Sequence, residues 1–290
     1  MYCKEPESSE DQITYFGEYN KKGRKVGKWS IRWNEKGQNK QIGGGSFDEQ
    51  GIKIGRWMEL CEGFNSEKQV TYNGEYNQKG MKVGRWDINY CEEGKQEYKL
   101  IGGGSYGEGV NQIKIGKWVE LDEGFGDGIG QNKITYNGEY NMKGMKVGRW
   151  DISYDKNDGN GQKQIGGGSY GEGDGQIKIG KWVELWENFG FLSQITYSGE
   201  YNKKGMKVGR WDINYCDWGM DQYKQIGGGS YAEGDGQIKI GKWIELDQGF
   251  ERDKKVTFNG EYNMKGVKIG IWVEMDIGEN KKRGEKKYKN

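Results

Sequence analysis

The word K-(V/I)-G-x-W occurs nine times in this chain, ending at Trp29, Trp57, Trp86, Trp118, Trp150, Trp182, Trp211, Trp243 and Trp272, with successive copies 28 to 32 residues apart. A period of that length marks stacked supersecondary units, each too small to bury its apolar face alone. Upstream text sorts the copies into two alternating kinds. One reads YNGEYNMKGMKVGRWDISY (136–154) and is here the Tyr-Gly module; the other reads QIGGGSYGEGDGQIKIGKWVEL (164–185), the triple-Gly module. Five of the first and four of the second fill residues 12–278. Residues 1–11 and the basic stretch 279–290 read as disordered ends.

Each unit reads as one β-hairpin. Ile134, Tyr136, Gly138 and Tyr140 alternate with Thr135, Asn137, Glu139 and Asn141, and after the turn NMKGMK the alternation resumes through Trp150, Ile152 and Tyr154. That period of two is the strand signal, and no segment carries helical spacing. The fold expected is therefore all-β: an elongated array of nine hairpins in a twisted, mostly antiparallel sheet. Matching the bulky faces sets the register at Tyr136–Ile152, Ile134–Tyr154 and Gly138–Trp150, because a one-residue slip would send the tryptophan to the wrong face. An indole then covers the glycine of the facing strand. The same register predicts Glu139 opposite Arg149. In the triple-Gly modules it pairs Gly168 with Trp182, Gly167 with Val183 and Ile165 with Leu185, and gives those hairpins apolar residues on a second face. Gly166 and Gly167 are left for a close backbone contact or a bound partner.

Composition narrows the chemistry. With 53 glycines, one proline and 32% apolar residues skewed toward 12 Trp and 19 Tyr, the composition is poor for a compact core and favours strands over helices. The chain has no histidine, the commonest general base and metal ligand, so neither catalytic nor metal residues are assigned. Cys3, Cys61, Cys91 and Cys216 lack C-x-x-C spacing and read as free thiols. A formal charge of +1, from 45 basic and 44 acidic residues, argues against a nucleic-acid partner. No apolar run reaches the roughly 20 residues of a membrane span, and MYCKEPESSED has no signal-peptide core, which places the chain in the cytoplasm.

Two motifs invite ligands. In QIGGGSYG, Gly166, Gly168 and Gly171 spell G-x-G-x-x-G, so the alternative reading is a nucleotide-binding or regulatory enzyme subunit using the repeated GGGSY loops. A phosphate loop needs a helix directly after its glycines, and K-I-G-K-W is a strand pattern instead. The turn with Glu172 and Asp174, repeated at Glu233 and Asp235, faintly suggests a calcium loop. Its irregular copies, Asp48-Glu49 and Glu108-Gly109-Val110-Asn111, read as ordinary polar turns. No cofactor is expected.

The text Y-x-G-E-Y-x-x-K-G-x-K-x-G-x-W, at 72–86, 136–150 and 197–211 and with a phenylalanine in its core at 15–29 and 258–272, resembles the MORN repeat, in the variant ending G-K-W. The resemblance implies hairpins side by side in a long sheet that serves as a scaffold for protein or lipid contacts, without catalysis of its own, in the cytoplasm at a membrane or the cytoskeleton. The unit here is longer than the family's, and the triple-Gly modules lack the first tyrosine. Lys25, Lys53, Lys82, Lys114, Lys146, Lys178, Lys207, Lys239 and Lys268, one per module, form a candidate ladder along the turn edge for protein partners or anionic phospholipid, with acidic words such as WVELDEGF at the opposite edge. The nine tryptophans are assigned to a structural seam.

Overall fold

The computed structural model describes residues 12–289, apart from 36, 110, 127–131, 157–160, 174, 218, 219, 221 and 235. The expected amino-terminal disorder at 1–11 lies outside the described residues. Those described form strands and turns without helices, and the strands belong to one open antiparallel sheet. Two compact units divide near residue 146. The first holds Gln12–Tyr19 (β1), Lys25–Glu35 (β2), Gln38–Phe47 (β3), Lys53–Leu60 (β4), Gln69–Tyr76 (β5), Lys82–Cys91 (β6), Lys99–Tyr106 (β7), Lys114–Leu121 (β8) and Lys133–Tyr140 (β9). The second holds Lys146–Asp155 (β10), which starts at the boundary, then Gln162–Tyr170 (β11), Lys178–Leu185 (β12), Gln194–Tyr201 (β13), Lys207–Cys216 (β14), Lys224–Tyr231 (β15), Lys239–Leu246 (β16), Val256–Tyr262 (β17), Lys268–Asp276 (β18) and Lys281–Tyr288 (β19). Within each unit every strand pairs with its sequence neighbours.

The predicted register appears at the linker end of the Tyr-Gly hairpins: Tyr72 pairs with Ile88 and Val70 with Tyr90, and Tyr197 pairs with Ile213 and Ile195 with Tyr215. Tryptophan lies over glycine as expected. A Cβ added at Gly74, Gly168, Gly199 or Gly229 would stand 2.2–2.3 Å from a ring carbon of Trp86, Trp182, Trp211 or Trp243. Each indole also finds a polar partner, since Trp182 Nε1–H donates to the Ser169 carbonyl at 3.1 Å and Trp211 Nε1–H to the Glu200 carbonyl at 3.2 Å. The ring thus covers bare backbone and satisfies an acceptor that the ladder leaves open.

Toward the turn the register departs from expectation. Ser198 pairs with Asp212, but Glu200 pairs with Val208, a slip of two residues. Its source is the glycine of K-x-G-x-W, which stands at φ +60° to +66° in all nine copies, a left-handed bulge that a side chain resists. The predicted Glu–Arg pair across the hairpin is therefore not formed in these hairpins: Arg210 Nε bonds Asp212 on its own strand at 2.6 Å. Glu75 and Glu200 instead stand opposite Arg56 and Lys181 of the preceding module.

All three glycines of GGGSY are accounted for within the sheet. At the first, a Cβ would lie 2.7 Å from the Val183 carbonyl at Gly166, and at the second, Gly167, 2.1 Å from the Trp150 carbonyl, with φ at +119°. The third is the one under Trp182. Two strands crowd the backbone here, so the close contact expected at Gly166 and Gly167 is with the chain's own main chain.

One expectation is filled in and another is corrected. Of the second-face apolar residues, Leu60, Leu121 and Leu246 pack against the chain's own cores, whereas Met58 and Ile244 keep 39% and 36% exposure. The stretch 279–290, read as a disordered tail, contains β19, which pairs with β18. KKRGEKKY has the outline of KLIGGGSY, with Gly284 and Tyr288 in the places of Gly102 and Tyr106, and Tyr288 meets Trp272 edge-on at 6.3 Å. The ladder with β18, the Arg283–Asp276 pair and the Tyr288 ring hold this charged strand in place, while its lysines discourage stray strand pairing.

The seam yields a stability prediction. Gly199→Val should lower stability by about 2–3 kcal/mol, since neither the ring nor the backbone can yield to a Cβ, while Gly109→Ala, with open space around it, should change it little; thermal denaturation followed by tryptophan fluorescence reads both.

Candidate functional site

The repeated lysines lie on the same face of their hairpins as the tryptophans, and eight of the nine meet a carboxylate inside the array. Lys53 and Lys82 both bond Glu59, the latter at 2.9 Å. Lys114 and Lys146 bond Glu120, Lys178 and Lys207 bond Glu184, and Lys239 and Lys268 bond Glu245. A tyrosine hydroxyl completes each set: Tyr76 donates to Glu59 at 2.7 Å, Tyr140 to Glu120 at 2.6 Å, Tyr201 to Glu184 at 2.7 Å and Tyr262 to Glu245 at 2.8 Å. The same ammonium groups lie on the indoles, Lys82 at 3.9 Å from the Trp86 ring centre and Lys268 at 3.8 Å from that of Trp272. Lys25 sits over Trp29 at 4.6 Å.

The carboxylates are the innermost charges, with side-chain exposures of 16–17%. Burial pushes their pKa values up, but the hydrogen bonds from the paired lysines outweigh it and hold all four below the ordinary glutamate value. Burial and the hydrogen bond to a carboxylate together push the Tyr76, Tyr201 and Tyr262 hydroxyls up, so these remain donors. Each cluster is a closed Lys–Glu–Lys–Tyr set that clips a triple-Gly hairpin to the Tyr-Gly hairpin after it.

The tryptophans are 1–6% exposed and serve as packing. In the first unit Tyr19, Trp29, Phe47, Trp57, Tyr76, Trp86, Tyr106, Trp118 and Tyr140 form an unbroken edge-to-face series with ring centres 4.9–6.4 Å apart. A matching series runs from Trp150 to Tyr288 in the second.

The residues that sequence reasoning missed are the four glutamates. Glu120 and Glu184 belong to the words assigned to an acidic linker edge, yet they stand inside the strands, two residues after tryptophan and six after lysine. That recurring K-x-G-x-W-x-E spacing was the available signal. Nor is the turn edge uniformly basic. Exposed Lys21, Lys22, Lys79, Lys143, Lys203, Lys204 and Lys265 in the Tyr-Gly turns are interleaved with Glu49, Glu108, Glu172 and Glu233 in the triple-Gly turns. Neighbouring turns touch, as where Asn20 Nδ2 donates to the Glu49 carbonyl at 3.1 Å.

The GGGSY words, GGGSF in the first copy, form the second halves of β3, β7, β11 and β15, and no helix follows them among the described residues. Among the described residues no group of three or more His, Cys, Asp or Glu is placed to hold a metal; Asp174 and Asp235 lie outside them, as does Cys3. Cys91 and Cys216 are buried thiols and Cys61 is half-buried, none in a disulfide. The face opposite the tryptophans carries the Arg85–Asp87 and Arg210–Asp212 pairs, each at 2.6 Å. In the first unit it also has a shallow depression of about 1050 Å³ lined by Arg56, Met58, Asn73, Arg85 and Asp87. No protein-family model matches the chain, and no curated protein matches it.

The clusters set a pH dependence. A carboxyl held below its ordinary value of 4.5 contributes stability that is full above that pH and is lost as pH falls through the folded value. The melting temperature should therefore drop as pH is lowered below 4.5. Glu59→Gln, Glu120→Gln, Glu184→Gln and Glu245→Gln should each cost about 1.5–3 kcal/mol of stability at neutral pH, so that the combined variant melts at a lower temperature and shows a flatter acid limb. An unchanged acid limb in this variant would assign the acid sensitivity to other groups.

Proposed function

We propose that the chain is a non-enzymatic scaffold, a MORN-like array of hairpins that holds protein partners on its surface. One observation carries this reading: the repeated lysines and tryptophans, the most conspicuous candidates for chemistry, are engaged in joining hairpin to hairpin. The outward surface left to the array is the opposite face, where half-exposed Met58 lies among arginine and aspartate in a shallow depression. Apolar atoms ringed by paired charges suit a protein contact, because the charges set orientation while the apolar patch supplies desolvation. The test is a pull-down from native lysate with the wild-type chain and two charge reversals, Arg56→Glu with Arg85→Glu and Arg210→Glu on this face, and Lys79→Glu with Lys143→Glu and Lys204→Glu at the turns. Partners lost only with the first set support the reading. Partners lost only with the second move the working surface to the turn edge.

A second reading, contact with anionic membranes, is favoured by two turns. Met142 and Met264 are 78% and 75% exposed, and each precedes an exposed lysine, Lys143 and Lys265. An apolar tip beside a cation matches the boundary between acyl chains and headgroups. Flotation with vesicles containing phosphatidylserine should show salt-sensitive binding that Lys143→Glu and Lys265→Glu weaken roughly tenfold or more, at about 1 kcal/mol for each basic residue near the surface. Absence of binding at low salt removes this reading and leaves the protein scaffold standing.

A further inference from the structure

Strand β18 breaks the alternation that the other second strands obey. β2, β6, β10 and β14 read W-(S/D)-I after their tryptophan and are followed by an I-G-G-G-S strand; β4, β8, β12 and β16 read W-x-E-L and are followed by (Y/F)-x-G-E-Y. β18 belongs by position to the first set, yet it reads Trp272-Val273-Glu274-Met275, the text of the second. Glu274 thus holds the place of Glu59, Glu120, Glu184 and Glu245. It is half-buried, and among the described residues it makes no hydrogen bond and no ion pair. The strand beside it is β19, which sets Tyr288 opposite Gly270, as Tyr76 stands opposite Gly55, but puts Gly284 opposite Glu274 where Tyr72 faces Glu59, and no described strand follows it to bring the second lysine.

The Y-x-G-E-Y strand that is paired on one side only, among the described residues, is β1. In the register of β4 on β5, where Trp57 meets Gly74, Met58 meets Asn73 and Glu59 meets Tyr72, β18 would set Trp272 on Gly17, Val273 on Phe16 and Glu274 on Tyr15 of a second copy. The second copy's Lys25 and Tyr19 hold the places from which Lys82 and Tyr76 reach Glu59. The opposite face agrees independently. Ile271, 53% exposed, replaces the Lys or Arg that precedes tryptophan in the other eight copies, and Phe16 replaces the Asn or Ser found at 73, 137, 198 and 259. In this register Val273 meets Phe16 directly, and Ile271, opposite Glu18, lies diagonal to Phe16 on the same face.

We propose that β19 is a displaceable cap and that, once it leaves, β18 of one copy takes β1 of a second copy in this register, giving head-to-tail assembly. The cap must leave because every observed pairing joins a first strand to a second strand, and β1 and β19 are both first strands. It can leave because it is mostly exposed lysine and arginine, anchored by Arg283 on Asp276 at 2.5 Å and by Tyr288 against Trp272. A heterologous contact of this kind does not close at a dimer.

The test uses the full chain. Gly284→Pro with Glu285→Pro loosens β19, because successive amides in a strand face opposite sides and one of the two must belong to the ladder. Light scattering coupled to size exclusion should show one mass for the wild type at all concentrations. The proline variant should show a concentration-dependent series extending beyond the dimer. Adding Glu274→Lys to that variant should raise the concentration for half-assembly about tenfold or more, and excess KKRGEKKY peptide should dissolve the series. A proline variant that stays monomeric with a wild-type circular dichroism spectrum overturns the proposal, as does assembly indifferent to Glu274→Lys. Should the prolines disturb the array, Arg283→Ala with Tyr288→Ala removes the anchors without touching the backbone and carries the same expected and overturning results.

Discussion

The structure depends on one contact, the indole laid over a glycine of the facing strand. With 32% apolar residues the sheet has little else to exclude water from its backbone, and aliphatic side chains alone could not cover it. An indole does three things in that position. It removes bare main chain from solvent, it donates its N–H to a carbonyl the bulge leaves open, and its edges meet an aromatic ring on each side. Every other specialisation follows. The facing residue must be glycine, the K-x-G-x-W glycine must turn left-handed so the tryptophan can fold back, and the next strand must bring a tyrosine or phenylalanine to continue the series.

The lysines extend this logic into electrostatics. An ammonium over an indole is attracted to the ring face but is partly removed from water, a cost that grows with burial. The glutamate offsets it by serving two lysines at once, and the tyrosine hydroxyl fills a further acceptor site. The set carries a formal charge of +1, and the remaining positive charge is shared with the rings and with solvent, where Lys53 and Lys114 keep about a third of their side chains exposed. A ladder that looks like a binding surface in the sequence is thereby spent on cohesion between hairpins.

How much of this could be read from the sequence follows the range of each interaction. Strand periodicity is local, so the hairpins and the pairings of Tyr197 with Ile213 and Ile195 with Tyr215 were legible, and so was the indole over glycine, because only one register puts the bulky faces together. The slip beyond Ser198 was not, since it comes from a backbone angle at Gly209 that the letter G permits without requiring. The carboxylate clusters were missed for a different reason. Glu59 is bonded by Lys53 on its own strand and by Lys82 from the next hairpin, and the second partner emerges only when modules are laid side by side rather than one under another. The order in 281–288 was hidden by composition: two residues, Gly284 and Tyr288, carry the strand signal among basic neighbours.

The alternation of the two modules is itself a packing requirement. After an aspartate-isoleucine strand the next strand begins with the first glycine of the triplet, and the isoleucine fills the space a side chain would take: a Cβ at Gly102 would lie 3.5 Å from Ile88 Cδ1, and one at Gly43 3.1 Å from Ile31 Cδ1. After a W-x-E-L strand the next must instead bring a tyrosine hydroxyl and a lysine to the carboxylate. Exchanging the two followers would press a carboxylate against bare glycine with no donor and set isoleucine beneath an ammonium group. Neither arrangement is isosteric or isopolar with the other, so each strand selects the kind of strand that can follow it. Order along the array is thus written in pairwise contacts between neighbours, and a strand whose text calls for one follower while another sits beside it, as β18 does, marks the place where that selection is left unsatisfied.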